Sequence, residues 1–304
     1  MTKTSAFGVS GREGHDASGF YGRALYEAGL PRLRIDGVGP WSSTPVAGEY
    51  PYPKLSTIIC ASSERMAQIP DGTIGLAFTS PPYNVGKQYD TDLSMAVYLN
   101  LLGQVAAEVE RVLVPGGRYV VNIANLGRNP YIPMTAYLHA ICQEVGLTAA
   151  GDLVWEKAKG ASGSCAWGSW RSAKAPRVRD VHEYVQVFCK GGTARPDRGE
   201  SNLAADEFMA STLSVWQIAP ESARRVGHPA PFPLELAERV IRLWSYRDDV
   251  ILDPFAGSGT TLLAAQRLGR TAIGYDVSPA YCALARKRLE EQISLLPAAQ
   301  VVGS

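Results

Sequence analysis

The 304 residues contain no Cys-x-x-Cys pair, no Gly-Lys-Ser/Thr tripeptide and no apolar run long enough to span a bilayer. The five cysteines, Cys60, Cys142, Cys165, Cys189 and Cys282, are odd in number and dispersed, which argues against a disulfide framework and reads as buried or free thiols in a reducing compartment. Four histidines show no metal-ligand spacing with them, so no metal is expected. An excess of charge is missing too: 30 Lys/Arg against 29 Asp/Glu leave +1, so any surface for a polyanion must come from local clustering. Without Gly-Lys-Ser/Thr, a nucleoside-triphosphate P-loop is not expected. The opening Met-Thr-Lys-Thr-Ser-Ala is followed by no apolar h-region, and the chain is expected to be soluble and cytoplasmic.

What is present is apolar periodicity punctuated by turn signals. A hydrophobic fraction of 46% over this length is enough for one large α/β domain and argues against wholesale disorder. Residues 1–53 keep no steady period and read as an ordered arm with a short helix from Tyr21 to Ala28. On that arm His15-Asp16 reads as surface groups or a turn sooner than as a catalytic pair. Leu55 to Ala61 is expected as a strand, Ser63 to Gln68 as a short helix stopped by Pro70-Asp71-Gly72, and Ile74 to Phe78 as a second strand. Val97, Leu101, Leu102, Val105, Val109 and Val112 give Met95 to Val112 helical spacing, and Pro115-Gly116-Gly117 turns the chain into a strand from Arg118 to Ala124. A helix from Pro133 to Val145 stops at Gly146. Strands follow at Leu147 to Lys157 and Val181 to Lys190, then a helix at Leu234 to Trp244, a strand ending at Asp253, a helix at Thr260 to Leu268, a strand at Thr271 to Tyr275 and a helix from Pro279 to about Leu295. Strand alternating with helix predicts a mostly parallel sheet covered on both faces.

Two stretches carry chemistry. The run Ile74 to Phe78 opens into Thr79-Ser80-Pro81-Pro82-Tyr83-Asn84, a stiff loop at the carboxyl end of a buried strand, where open α/β sheets place ligands. Ser80 offers a hydroxyl, the two prolines offer carbonyl acceptors and Tyr83 a flat ring, which together suit a planar ring bearing an exocyclic amino group. A strand followed by a stiff turn is the plainer reading of the same residues. In Val250 to Thr261, a strand enters a turn with Gly257 and Gly259 and then a helix whose N-terminus offers N–H groups. Asp276, 23 residues after Asp253, stands where an acid on the next strand reaches a ribose diol. Asp253 would repel a pyrophosphate but could accept from the ammonium of a methionine moiety, which favours S-adenosylmethionine over NAD.

Ser80-Pro81-Pro82-Tyr83 resembles the catalytic tetrapeptide of DNA amino-methyltransferases. Asp253-Pro254-Phe255-Ala256-Gly257-Ser258-Gly259-Thr260-Thr261 is similar to the cofactor motif of the same family. Catalytic loop before cofactor loop resembles their β arrangement, and the resemblance covers about Leu55 to Leu295. It implies an α/β, Rossmann-like S-adenosylmethionine-dependent methyltransferase fold: a mostly parallel sheet, helices on both faces and an antiparallel hairpin at one edge. It also implies methyl transfer from S-adenosylmethionine to the exocyclic amino group of a flipped base in duplex DNA. In this family Ser at the first position accompanies cytosine N4 and Asp accompanies adenine N6, so Ser80 points to cytosine N4, with adenine N6 the alternative. Carried over by the resemblance are catalytic roles for Ser80, Pro81, Pro82 and Tyr83, and cofactor contacts by Thr79, Phe232, Asp253, Phe255, Gly257, Ser258, Gly259, Thr260 and Asp276. Many members have an acid near the position of Ser62, against the cofactor adenine; here there is serine.

From Glu156 to Arg198 nine Lys/Arg face four acids, a local excess of five positive charges. The family places target recognition between its two motifs, so Lys157, Lys159, Trp167, Trp170, Arg171, Lys174, Arg177 and Arg179 are the expected DNA contacts. A solvated basic loop is the alternative. The implied layout is an arm at 1–53, a catalytic domain at 54–296 with recognition insertions at about 158–180 and 191–227, and a tail at 297–304. Double-stranded DNA is the expected partner, with a homodimer and a cognate restriction endonuclease left open. No membrane partner is expected, and the setting is the cytoplasm of a bacterial or archaeal cell, at the nucleoid. A C5-cytosine enzyme would need a Pro-Cys pair, which is absent. RNA or protein amide methylation is the nearest enzymatic rival, and a non-catalytic DNA-binding subunit on the same scaffold is the rival of another class.

Overall fold

The computed structural model describes residues 34–49, 56–83, 93–126, 130–157, 168–221 and 232–295. The chain divides into two units, Met1–Leu33 and Arg34–Ser304, and all the described residues belong to the second. Its strands are β1 (Thr57–Cys60), β2 (Ile74–Thr79), β3 (Leu113–Ile123), β4 (Leu147–Lys157), β5 (His182–Lys190), β6 (Val215–Ile218), β7 (Val250–Asp253) and β8 (Thr271–Asp276). They form one sheet in the order β1-β8-β7-β2-β3-β5-β4-β6, in which β5 runs against β3 and β4 while the other pairs are parallel. The helices are α1 (Met95–Val112), α2 (Met134–Glu144), α3 (Ala205–Ser211), α4 (Leu234–Trp244), α5 (Thr260–Arg267) and α6 (Pro279–Leu295). From β2 the chain moves on to β3 on one side, and from β7 to β8 on the other. The β2/β7 boundary is therefore the point where the winding reverses, and ligands of such sheets bind at the carboxyl ends there.

Period-two alternation sorts each strand's side chains into two buried layers. Leu76, Phe78, Val120, Leu153, Trp155, Val185 and Val187 face α4, α5 and α6. Ala77, Tyr119, Val121, Ile123 and Phe188 face α1 and α2. Helix α1 starts where the Ser94 hydroxyl accepts from the Val97 N–H, and its apolar stripe covers the second layer.

Four features differ from the sequence expectation or add to it. Ser63 to Gln68 forms turns and no helix, because its backbone groups are taken from outside: Met66 N–H donates to Glu108 Oε2 at 2.7 Å, while the buried Arg111 donates to the carbonyls of Met66 and Ile69. Strand β3 begins at Leu113, ahead of the Pro115-Gly116-Gly117 turn, which survives as a bulge: Ile74 pairs with Leu113 and Leu76 with Arg118, so residues 114–117 loop out opposite Gly75. The stretch 191–227 contributes α3 and β6, and β6 extends the sheet beyond the antiparallel hairpin β4–β5. Finally, Gly39 to Ser42 lie against α1, while Val46 exchanges hydrogen bonds with Asp71 ahead of β2. The Trp41 indole N–H and the Gly39 N–H both donate to Asn100 Oδ1, and Gly103 makes room for the Trp41 ring, where a Cβ would come within 2.0 Å. The helix expected at Tyr21 to Ala28 and the pair His15-Asp16 lie outside the described residues.

Candidate active site

The two motif loops leave neighbouring parallel strands at the same end, and one carboxylate joins them. Asp253, at the end of β7, is 1% exposed. Its Oδ1 accepts from the Thr79 hydroxyl at the end of β2 (2.6 Å) and from the Phe255 N–H (3.1 Å), and its Oδ2 accepts from the Thr261 hydroxyl of α5 (2.6 Å). Burial pushes this carboxyl up to about 6 even though all three donors favour its charged form. These donors make Asp253 the clasp between the two strand ends.

Beyond the clasp, Gly257 and Gly259 take positive φ, 49° and 77°, as the strand-to-helix turn requires. A Cβ on Gly259 would stand 2.9 Å from the Ala285 Cβ of α6, so this glycine is needed for close helix packing as well as for its φ. Asp276, half-buried at the end of β8, accepts from the Gly257 N–H (2.9 Å) and the Ser278 N–H (2.8 Å), and burial raises its carboxyl above the ordinary range. Arg288 ties the turn to α6 through the Ser258 carbonyl (2.6 Å) and the Thr260 hydroxyl (3.4 Å). Phe255 is half-buried in the α1/α2 layer, and Phe232 stands edge-on to Phe78 at 5.1 Å, just below the proline loop. In the turn after β1, Glu64 Oε2 accepts from the Ser62 hydroxyl at 2.9 Å, so an acid does occupy that turn, two residues later than the position compared with the family. An acid at the β8 end, an acid in the β1 turn, a tight glycine turn and an aromatic wall are a donor and acceptor set that fits S-adenosylmethionine: ribose hydroxyls, an adenine and a zwitterionic chain.

The proline loop is held from three sides. The Pro82 carbonyl accepts from the Tyr98 hydroxyl of α1 at 2.5 Å. The Tyr83 hydroxyl donates to Glu183 Oε2 of β5 at 2.8 Å and lies 3.3 Å from Ser80 Oγ. Asn122 of β3 donates from Nδ2 to the same Glu183 oxygen (2.6 Å) and to Ser80 Oγ (3.4 Å). Lys157 of β4 pairs with Glu183 Oε1 at 2.7 Å. Burial first, and the facing Glu183 charge second, push the Tyr83 phenol well above its ordinary range, so it keeps its proton.

Glu183 and Asn122 were not singled out in the sequence. A signal for them exists: each continues an apolar row that alternates along its strand. Ser80 extends Leu76 and Phe78, Asn122 follows Val120, Lys157 follows Leu153 and Trp155, and Glu183 precedes Val185 and Val187. Laid side by side, four strands present one polar row across a single face of the sheet.

The expected DNA face is narrower than its charge count. Lys157 is turned inward to Glu183. Lys190 and Arg195 lie at the far end of β5, roughly 25 Å from Glu183 along the strand, where Lys190 pairs with Glu110 and Arg195 with Asp249. Arg171 and Lys174 are exposed on a loop closed by the Gly168–Pro176 bridge, Arg177 and Arg179 are exposed just past it, Trp170 is 65% exposed and Arg171 stands at φ 50°. Lys159 and Trp167 lie outside the described residues. Among the described residues no three His, Cys, Asp or Glu side chains group to hold a metal, and no helix is long and apolar enough to cross a membrane.

Residues 74–287, from β2 through most of α6, match the N6_N4_Mtase family, DNA methylase. The chain belongs to that family. Among DNA methylases of known sequence it is 28% identical over 267 residues to the type II methyltransferase M.ScaI of Streptomyces caespitosus, covering 81% of this chain and 86% of that one. With M.MjaI of Methanocaldococcus jannaschii it shares 29% over 266 residues, 72% and 86% of the two chains. TTHA0409 of Thermus thermophilus, a protein assigned as a DNA modification methylase and crystallised with S-adenosyl-L-methionine, superposes with a TM-score of 0.64 at 30% identity, over 80% of this chain and 96% of that one. The cytosine-N4-specific PvuII DNA methyltransferase shares the fold, with a TM-score of 0.63 at 24% identity over 85% and 94%. The family and the S-adenosylmethionine-bound neighbour support S-adenosylmethionine as the cofactor.

Proposed function

We propose that the protein is a site-specific DNA methyltransferase that methylates the N4 amino group of a cytosine flipped out of duplex DNA. The observation that carries this reading is the meeting of an acceptor loop, Ser80 to Tyr83, and a glycine turn at adjoining strand ends, clasped by Asp253. Bound at the glycine turn, S-adenosylmethionine supplies an electrophilic methyl group. Asp276 would hold the ribose hydroxyls, Gly257 to Thr260 would line the turn against the cofactor, and Phe232 and Phe255 would wall the site. Thr79 and Asp253 fix the distance between donor and acceptor loops. An exocyclic amine is a weak nucleophile because its lone pair is delocalised into the ring. Ser80 Oγ and the Pro81 carbonyl accept its two hydrogens and so turn that lone pair toward the methyl group, while Tyr83 presents its ring to the base. The Pro82 carbonyl, already bonded to Tyr98, stiffens the loop. Displacement then depends on positioning and acceptors, and the amine's extra proton leaves after the methyl group arrives.

Arg171, Lys174, Arg177 and Arg179 contact phosphates, and Trp170 wedges into the duplex or supports the loop. Relatives named as type II methyltransferases favour a cognate endonuclease as partner. The test is mass spectrometry of nucleosides from unmethylated DNA incubated with the protein and labelled S-adenosylmethionine. N4-methylcytosine is expected and should vanish in Ser80→Ala. N6-methyladenine would overturn the choice of base, and unlabelled DNA would overturn the substrate.

A further inference from the structure

The polar row beneath the proline loop has a direction, and Glu183 sets it. Paired with Lys157 at 2.7 Å, the Glu183 carboxylate offers acceptors only. Asn122 must then turn its amide nitrogen toward Glu183, which fixes its orientation and directs the same nitrogen to Ser80 Oγ. Tyr83 has a single O–H, and it is spent on Glu183 Oε2. Toward Ser80, 3.3 Å away, the phenol oxygen can therefore only accept. The Ser80 proton points at Tyr83, one Ser80 lone pair faces Asn122, and the second lone pair is left for a substrate N–H. Were Glu183 not an acceptor, Tyr83 could donate to Ser80 instead, and Ser80 would turn its own proton toward the base amine and repel it.

We propose that Glu183 is the positioning residue that makes Ser80 an acceptor, and that the same chain of hydrogen bonds carries away the proton the amine must lose. The inference rests on Ser80 meeting the amino group, as proposed above. As the N–C bond forms and the donor's C–S bond breaks, the amine nitrogen becomes cationic. Its proton passes to Ser80 Oγ, the Ser80 proton to the Tyr83 oxygen and the Tyr83 proton to Glu183 Oε2. The methylated amine, serine and tyrosine end neutral, and the proton rests on Glu183 until solvent takes it.

Full-length Glu183→Gln, Tyr83→Phe, the double variant and Ser80→Ala would be compared with the parent protein in single-turnover methylation of unmethylated plasmid DNA. Dissociation constants for S-adenosylmethionine would be measured by calorimetry, and those for the plasmid by filter binding. Glu183→Gln and Tyr83→Phe are each expected to slow methyl transfer about 100-fold, the scale of a lost proton-transfer partner. Both dissociation constants should stay within about twofold, and the double variant should be no slower than the slower single, because both substitutions break one chain. Tyr83→Phe keeps the Glu183–Lys157 pair, so it carries the test if Glu183→Gln loses cofactor binding. Full rate in either single variant, or multiplied losses in the double, overturns the role of Glu183 if Ser80→Ala is inactive. Full rate in Ser80→Ala overturns the underlying reading instead.

Discussion

Asp253→Asn isolates the electrostatic cost of the clasp between β2 and β7. An asparagine can accept from one threonine hydroxyl and donate to the other, so Thr79 and Thr261 both stay bonded, and the variant differs by a buried charge. In the native protein this carboxyl titrates at about 6, against an ordinary value of 3.8. A raised carboxyl means that the native state holds a proton the unfolded chain has already released. Its contribution to stability is therefore full below pH 3.8 and is lost as the pH rises through 6. The loss amounts to about 3 kcal/mol in all, of which about 2 kcal/mol falls between pH 4.5 and 8. The asparagine of the variant has nothing to titrate. Urea unfolding of both proteins at several pH values across that range should show the variant gaining about 2 kcal/mol on the parent from the acid end to the alkaline end. A difference that stays constant within about 0.5 kcal/mol across the range would refute the claim that an ionised carboxylate is held there against its desolvation.

Gly259→Ala should lower the thermal midpoint by the equivalent of about 1–3 kcal/mol, since it combines a φ of 77° with a Cβ 2.9 Å from Ala285; an unchanged midpoint would contradict the packing described. Replacing Arg171, Lys174, Arg177 and Arg179 together by alanine should reduce the slope of log K against log salt for duplex binding by about 3 to 4, near 0.9 for each phosphate no longer neutralised, and an unchanged slope would take the loop out of the interface. Gly103→Ala pushes a Cβ into the Trp41 ring, so limited proteolysis should cut within residues 34–49 faster than in the parent; equal cutting rates would mean that Trp41 does not hold that segment.

Where a segment carries its own period, the sequence already shows its limits. The structure bounds α1, α4 and α6 at Met95–Val112, Leu234–Trp244 and Pro279–Leu295, as their apolar spacing and flanking turns predict. Ser63 to Gln68 stays out of a helix because its backbone partners, Glu108 and Arg111, come from a helix some 40 residues on, and local propensity is overridden by such contacts. Strand β6 was missed because Val-Trp-Gln-Ile is too short to show a period and gains its strand character by pairing with β4. Lys157 entered a charge count that cannot tell an inward side chain from an outward one. Ser80, Tyr83 and the glycine turn were readable because each loop is a contiguous motif. Asn122 and Glu183 were not, because the polar row exists only once β3, β5 and β4 stand side by side, and that order is a property of the folded sheet.

Strand β6 also bears on how this protein could be re-engineered. Trp216 is buried against Trp244, and the Ile218 carbonyl accepts from the Trp155 indole at 2.9 Å. Grafting a foreign stretch over 191–227 would thus unzip the rim of the sheet and wet two indoles, whereas residues 171–180 are all exposed. A foreign cassette is therefore better carried by that exposed stretch, with the later segment left as native framework.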